Sequence, residues 1–241
     1  MSHAGGTLAI VQARMSSTRL PGKTLADLDG EPMLSLLLRR LSHARRIEKI
    51  VVATSNDSVD DTIVRLAQSL GFETSRGPRQ DVLGRFLIAI ADHDGPIVRL
   101  TGDCPLIDPA IVDRTIEKFL SVAGCAYASN IQPRTFPDGM DVEVFDATAL
   151  RAVAAEAPSA YDREHVTSAI RAQPGRFPQV AFTNEHNLGE LRWTVDEPAD
   201  LEFLNALVRR LADRRDRAGL REILAAVRRE PALGSVGENR G

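Results

Sequence analysis

The segment Ile10-Val11-Gln12-Ala13-Arg14-Met15-Ser16-Ser17-Thr18-Arg19-Leu20-Pro21-Gly22-Lys23 sets three cations and three hydroxyls on one loop behind an apolar run. Like charges held that close repel, so the loop calls for an anionic ligand or for full solvation. Arginine forks and a lysine point charge suit phosphate oxygens, and successive N–H groups in a glycine-containing turn add to such a site. A nucleoside triphosphate fits this set; a solvated basic loop is the alternative. Gly22-Lys23-Thr24 ends like a P-loop, but that motif requires glycine where this chain has Ser17, so a P-loop ATPase is excluded. The first apolar run leads into no GxGxxG, which weakens a dinucleotide reading.

Two carboxylates complement the loop. Asp103 follows an apolar run and precedes Cys104-Pro105; Asp196 follows Leu191-Arg192-Trp193-Thr194-Val195 and precedes a helical stretch. At the carboxyl edge of a sheet such groups hold Mg²⁺ against phosphates. Each has a plainer reading, as a turn former and as a helix N-cap respectively. Asp138, Asp141 and Glu143 stand close together, and the alternation of residues 140–145 predicts Asp141 and Glu143 on one strand face, toward a cleft or toward solvent. Arg163-Glu164-His165 lies on a predicted helix, where a lone histidine is either structural or catalytic. The spacing supports no Ser/His/Asp or Cys/His arrangement.

These groups need a frame. Residues 7–13, 50–53, 72–74 and 96–100 read as short buried strands, separated by amphipathic helices over 32–45, 59–70, 81–93 and 111–120. Asn56 or Asp57 is the expected cap of the second helix, Gly71 its terminator, and Asp108-Pro109 the start of the fourth. This βα alternation predicts an α/β fold with a mostly parallel central sheet and helices on both faces, and ligands gather at its carboxyl edge. Strands are expected again at 126–129, 140–145, 177–182 and 191–195, and helices at 148–156, 161–172, 197–211 and 219–229. The 233–241 tail reads as frayed. The whole of 1–241 reads as one domain, with a core of about 7–125 and 190–230 and a smaller α+β lobe of about 126–190.

Composition narrows the class. The chain has 241 residues, 43% of them hydrophobic, and a net charge of -3, which argues against a broad basic nucleic-acid surface. Cys104 and Cys125 form no paired motif, so a disulfide framework or structural zinc is not expected and a cytoplasmic location is. No signal peptide and no membrane-spanning run is read. The basic stretch from Arg209 to Arg229 also carries Asp213, Asp216 and Glu222 and reads as a solvated face.

Taken together, the motifs resemble the cytidylyltransferases that make CMP-linked acidic sugars, of the Kdo and sialic acid type. The carriers are Ala13-Arg14-x-x-Ser17-x-Arg19-x-Pro21-Gly22-Lys23, Gly102-Asp103-x-Pro105-Leu106-Ile107 and Thr194-Val195-Asp196-Glu197-Pro198-x-Asp200-Leu201-Glu202. Val11-Gln12-Ala13-Arg14, Asp81-Val82-Leu83-x-Arg85-Phe86, Pro137-Asp138-Gly139-Met140-Asp141-Val142-Glu143 and Arg163-Glu164-His165-Val166-Thr167 are similar to the branch named for spore-coat polysaccharide biosynthesis protein F. Kdo-type enzymes usually carry proline at the position of Gln12 and an acid at that of Cys104. The resemblance implies a Rossmann-like nucleotidyltransferase, CTP and a small-molecule acceptor as partners, Mg²⁺ as cofactor and a homodimer. It implies Arg14, Lys23 and Asp103 as catalytic groups and Asp103 and Asp196 as metal ligands. For the nucleotide it implies Ala13, Arg14, Ser17, Arg19, Lys23, Arg85, Thr101 and Gly102, with Thr54, Ser55 and Asn56 reading the base. Asp138, Asp141, Glu143, Arg163, Glu164, His165 and Arg192 would meet the acceptor, an acidic sugar or else a phosphonate or phosphate; Arg134 is a further cation available to it. A glycosyltransferase using a nucleotide sugar is the alternative activity, although Asp103-Cys104-Pro105 lacks the DxD pair common there.

Overall fold

The computed structural model describes residues 5–156 and 158–229; the tail expected to fray lies outside the described residues. Apolar runs form the strands. β1 (Thr7–Gln12), β2 (Ile47–Ser55), β3 (Glu73–Gly77) and β4 (Pro96–Thr101) pair in parallel in the order β3-β2-β1-β4. Beyond β4 the same sheet continues through β6 (Glu143–Asp146), β5 (Tyr127–Ser129) and β7 (Gln179–Ala181), so the strands of the expected lobe extend the central sheet to seven strands. Among the described residues β6 alone runs against the others. Such a mostly parallel sheet must be covered on both faces.

Alternation along the strands builds two cores. Ala9, Val11, Val52, Val98, Leu100 and Val144 pack under α1 (Met33–Leu41), α2 (Asp61–Ser69), α4 (Pro109–Leu120), α8 (Pro198–Leu211) and α9 (Leu220–Arg228). Leu8, Ile10, Val51, Ala53, Ile97 and Phe145 pack under α3 (Val82–Ile90), α5 (Ala147–Ala155) and α7 (Ser168–Arg171). The strand order reverses between β1 and β4, and the carboxyl ends of these two strands, Gln12 beside Thr101, mark the switch point where α/β sheets bind ligands.

Several local expectations change. The 161–172 helix is two helices, α6 (Ala160–His165) and α7, broken at buried Val166, whose φ of 53° and ψ of -61° close a γ-turn with Thr167 N–H donating to His165 O at 2.5 Å. The 191–195 segment is no strand: its backbone bonds the Asp138 and Asp103 loops, through Trp193 N–H to Asp138 O at 2.6 Å and Val195 N–H to Asp103 O at 2.9 Å. Neither Asn56 nor Asp57 caps α2 with its side chain; a 3₁₀ turn over Ser58–Asp60 leads into it instead. The expected cap Asp108 accepts from Ala110 N–H at 2.8 Å and also from Leu220 N–H at 2.7 Å, tying the starts of α4 and α9 together.

Candidate active site

The cationic loop leaves β1 and folds on itself. Gly22, at a φ of 77° that favours glycine, donates its N–H to Met15 O at 2.9 Å, and the Thr24 hydroxyl donates to Arg14 O at 2.8 Å. The root of the loop is pinned by Asp60. That buried carboxylate accepts from Met15 N–H at 2.7 Å and from both the N–H and the hydroxyl of Ser55, joining the loop to the end of β2.

Lys23 is the centre of the site. Its ammonium lies 2.8 Å from Asp103 Oδ2, 2.8 Å from Asp196 Oδ1 and 2.7 Å from Val195 O. Burial alone would lower its pKa; the Asp103 and Asp196 carboxylates outweigh that and hold it above the ordinary 10.5. Burial would likewise raise Asp196, but its bonds to Lys23 and Arg192, with Arg19 at 3.0 Å, keep it below the usual carboxylate range. The helix entry behind Asp196 is a capping box in which Asp200 accepts from the N–H groups of Asp196 and Glu197, each at 2.8 Å. Asp103, just past the end of β4, and Asp196, at the entry to α8, converge on Lys23 from segments far apart in sequence, joined by the Val195 N–H bond to Asp103 O.

A cavity of about 390 Å³ runs from this cluster over the ends of β1 and β4. Gln12, Ala13, Arg14, Ser17, Thr18, Arg19, Thr101 and Gly102 line it from the sheet edge, Val82 and Arg85 from α3, and Glu164 and His165 from α6. Glu164 lies 3.8 Å from Arg14, and Arg163 fastens α6 to α3 by donating to Asp81, the α3 cap, at 2.7 Å. Arg85 is 2% exposed, yet its Nε and Nη1 have no hydrogen-bond partner among the described residues. Desolvation, followed by repulsion from Arg14, lowers its pKa, so an anion or carbonyl oxygen brought into the cavity would be well received there.

The cavity thus gathers the expected Ala13, Arg14, Ser17, Arg19, Lys23, Arg85, Thr101, Gly102, Asp103, Glu164, His165 and Asp196. Other expected residues lie elsewhere. Thr54 and Ser55 are fully buried and Ser55 is bonded to Asp60, while Asn56 is exposed beyond the end of β2; none of the three lines the cavity. Glu143 does not share an open face with Asp141. It is 3% exposed and accepts from Arg99, Tyr127 and Thr167, whereas Asp141, just before β6, pairs with Arg134 at 2.7 Å. Asp138 also stands outside the cavity, raised in pKa by burial and then by Asp141, and Arg192 is spent on Asp200 and Asp196.

Three supporting residues went unpredicted. Asp60 and Arg99 look like ordinary charged residues until the loop and β6 are in place. Arg40 ends a leucine-rich face but is wholly buried, donating to Leu106 O at 3.1 Å, Ile107 O at 3.0 Å and Ala218 O at 2.7 Å, and to Arg215 O. It fixes the turn that follows Asp103. Desolvation lowers its pKa to about 10.

A family profile described as cytidylyltransferase matches residues 8–215, which includes the whole of this site. The chain belongs to the cytidylyltransferase family. This cytidylyltransferase is 33% identical to spore coat polysaccharide biosynthesis protein SpsF of Bacillus subtilis over 93% of its own length and 95% of that protein. It superimposes on a cytidylyltransferase from Leptospira borgpetersenii with a TM-score of 0.89 at 31% identity, covering 98% of each chain. The fold is also that of CMP:2-keto-3-deoxy-manno-octonic acid synthetase complexed with CTP, with a TM-score of 0.61 at 18% identity over 85% of this chain and 99% of that one.

Proposed function

We propose that this cytidylyltransferase transfers CMP from CTP to an acidic sugar and releases pyrophosphate. The observation that carries the reading is the convergence of Lys23, Asp103 and Asp196 at one end of the cavity, with Arg14 and Arg19 on the adjoining loop. In the proposed reaction an acceptor oxygen attacks the α-phosphorus in line as the bond to the pyrophosphate oxygen breaks. Negative charge grows on the equatorial and leaving oxygens. Lys23 and Arg14 would stabilise that charge in place, so catalysis is positioning plus electrostatics rather than covalent chemistry. Glu164 and His165 close the cavity from α6 and would help exclude water. The acceptor proton leaves to solvent or to a nearby base on the acceptor side.

Mg²⁺ fits this donor set. Two carboxylates already share one cation, the Lys23 ammonium, and a hard divalent ion takes one or two protein carboxylates together with phosphate oxygens and water. Asp103 and Asp196 would hold it, and when bound it supplies neutralisation of phosphate charge. Among the described residues no group of three or more His, Cys, Asp or Glu could hold a metal ion by itself. A homodimer joined through residues 126–190 belongs to the same reading, as does a cytoplasmic location, which suits two free, buried cysteines.

Incubation with CTP, Mg²⁺ and a panel of sugar acids, with pyrophosphate release and mass spectrometry as readouts, tests the proposal. A CMP conjugate of one acid is the expected product. Pyrophosphate release with no CMP conjugate, or no turnover with any sugar acid, overturns the acceptor assignment. Sedimentation of the purified chain tests the dimer.

A further inference from the structure

Thr54, Ser55 and Asn56 do not line the cavity, whereas another polar side chain beside the switch point does. Gln12, the last residue of β1, lines the cavity at the switch point. Arg99 Nε–H donates to Gln12 Oε1 at 3.0 Å. A guanidinium carries only donors, so the oxygen of the Gln12 amide has to face it, which leaves the amino group for the cavity. Arg99 is itself locked. Directly across the strand pair it donates to Glu143, whose carboxylate also accepts from the Tyr127 hydroxyl at 2.7 Å and the Thr167 hydroxyl at 2.5 Å. The Gln12 amide therefore cannot turn over without breaking a bond inside a buried network.

We propose that Gln12 reads the nucleobase as a fixed donor and that its lock on Arg99 selects cytosine over uracil. The inference rests on the cavity being a pyrimidine nucleotide site, as argued above. The two bases differ at N3, where cytosine offers a lone pair and uracil an N–H, and at C4, where cytosine carries an amino group and uracil an oxygen. A free glutamine amide serves either N3 by flipping; one held with its amino group toward N3 meets the cytosine lone pair and is opposed by the uracil N–H. The O2 oxygen accepts in both bases, and Arg85, which also lines the cavity, would donate to it without discriminating. Gly102 packs tightly on β1, where an added Cβ would come 3.1 Å from Gln12 O and 3.2 Å from Ala13 Cβ, and Val82 adds an apolar side to the cavity. A neutral amide is also better matched to the edge of a base than to a phosphate.

Calorimetric titration of the full chain with CTP and with UTP in Mg²⁺ tests this. The wild type is expected to favour CTP. Gln12→Glu keeps the shape and the Arg99 contact but can only accept, so the CTP-to-UTP affinity ratio should fall at least about tenfold, the worth of one mismatched hydrogen bond. Arg99→Met should lower the ratio by a similar factor through a gain in UTP affinity, which a merely structural role would not produce. Because Arg99→Met leaves Glu143 buried without its cation, the double variant Arg99→Met with Glu143→Gln is measured beside it. Equal weakening of both nucleotides, an unchanged ratio, a ratio that falls only through loss of CTP in the Arg99 variants, or a wild type that does not distinguish the two overturns the inference while leaving nucleotide binding intact. A wild type that binds neither nucleotide overturns the pyrimidine nucleotide reading beneath it as well.

Discussion

Lys23 and Asp103 are 80 residues apart in sequence, yet their ammonium and carboxylate stand 2.8 Å apart at the sheet's carboxyl edge. The pair sits where a triphosphate would be clamped, so its charge should matter to turnover more than to folding. Lys23→Ala and Asp103→Asn are each expected to lower pyrophosphate release by about 100- to 1000-fold, the usual effect of removing one electrostatic partner of a transition state. The measurement is steady-state turnover with CTP, alongside circular dichroism to establish that the fold survives. Wild-type-like turnover in either variant would remove the site from the reaction.

Asp60 holds the loop from behind. Its carboxylate is 1% exposed and bonds two backbone N–H groups and a hydroxyl. Asp60→Ala leaves buried donors without acceptors and is expected to cost about 2–3 kcal/mol in urea denaturation. CTP should bind more weakly as well, because Met15 loses its tether to β2. A variant with unchanged stability and unchanged CTP affinity would show that the loop holds its shape by itself.

Much of this frame was legible before any coordinates. Buried strands show as short apolar runs, and Arg14 and Asp103 stand just past two of them, with Arg19 and Lys23 on the loop that follows the first, so local pattern and sheet geometry together place these four at one edge. What was hidden depends on partners remote in sequence. Glu143 alternates like a cleft residue, and only the pairing of β6 with β4 sets it against Arg99 inside the fold. Leu191–Val195 is apolar enough for a strand, but the Asp103 and Asp138 loops take its backbone bonds. The break at Val166 opposes the local preference of a β-branched residue, for which positive φ is strained; Thr167, one residue on, reaches Glu143, and His165, one residue back, reaches the cavity. Sequence pattern carries no signal for a turn imposed from both sides.

Arg40 gives a test of the turn behind Asp103. Arg40→Met is close in length but donates nothing to the four carbonyls that now bond the guanidinium. Removing a buried hydrogen-bonding group of this kind is expected to cost about 3 kcal/mol, offset in part by the relief of burying a cation. Arg40→Lys keeps the charge without the fork and should fall between the two. Chemical denaturation at fixed pH orders the three proteins, and Arg40→Met at wild-type stability would mean that the loops are held by their apolar contacts alone.

Glu143 supplies the pH dependence. Burial by itself would raise its pKa, but Arg99, with Thr167 and Tyr127, outweighs burial and holds it below the ordinary 4.5. A carboxylate whose pKa is depressed in the folded state contributes stability that is fully present above its unfolded pKa and is lost as pH falls through the folded one. Stability should therefore be level with respect to this group above about pH 5 and should drop progressively below pH 4.5. Glu143→Gln is expected to be less stable than wild type at pH 7, because Arg99 then lies buried beside a neutral amide, and to show a shallower acid decline. Unfolding free energies of both proteins across pH 3 to 7 provide the comparison; parallel curves would assign the acid sensitivity to other carboxylates such as Asp196.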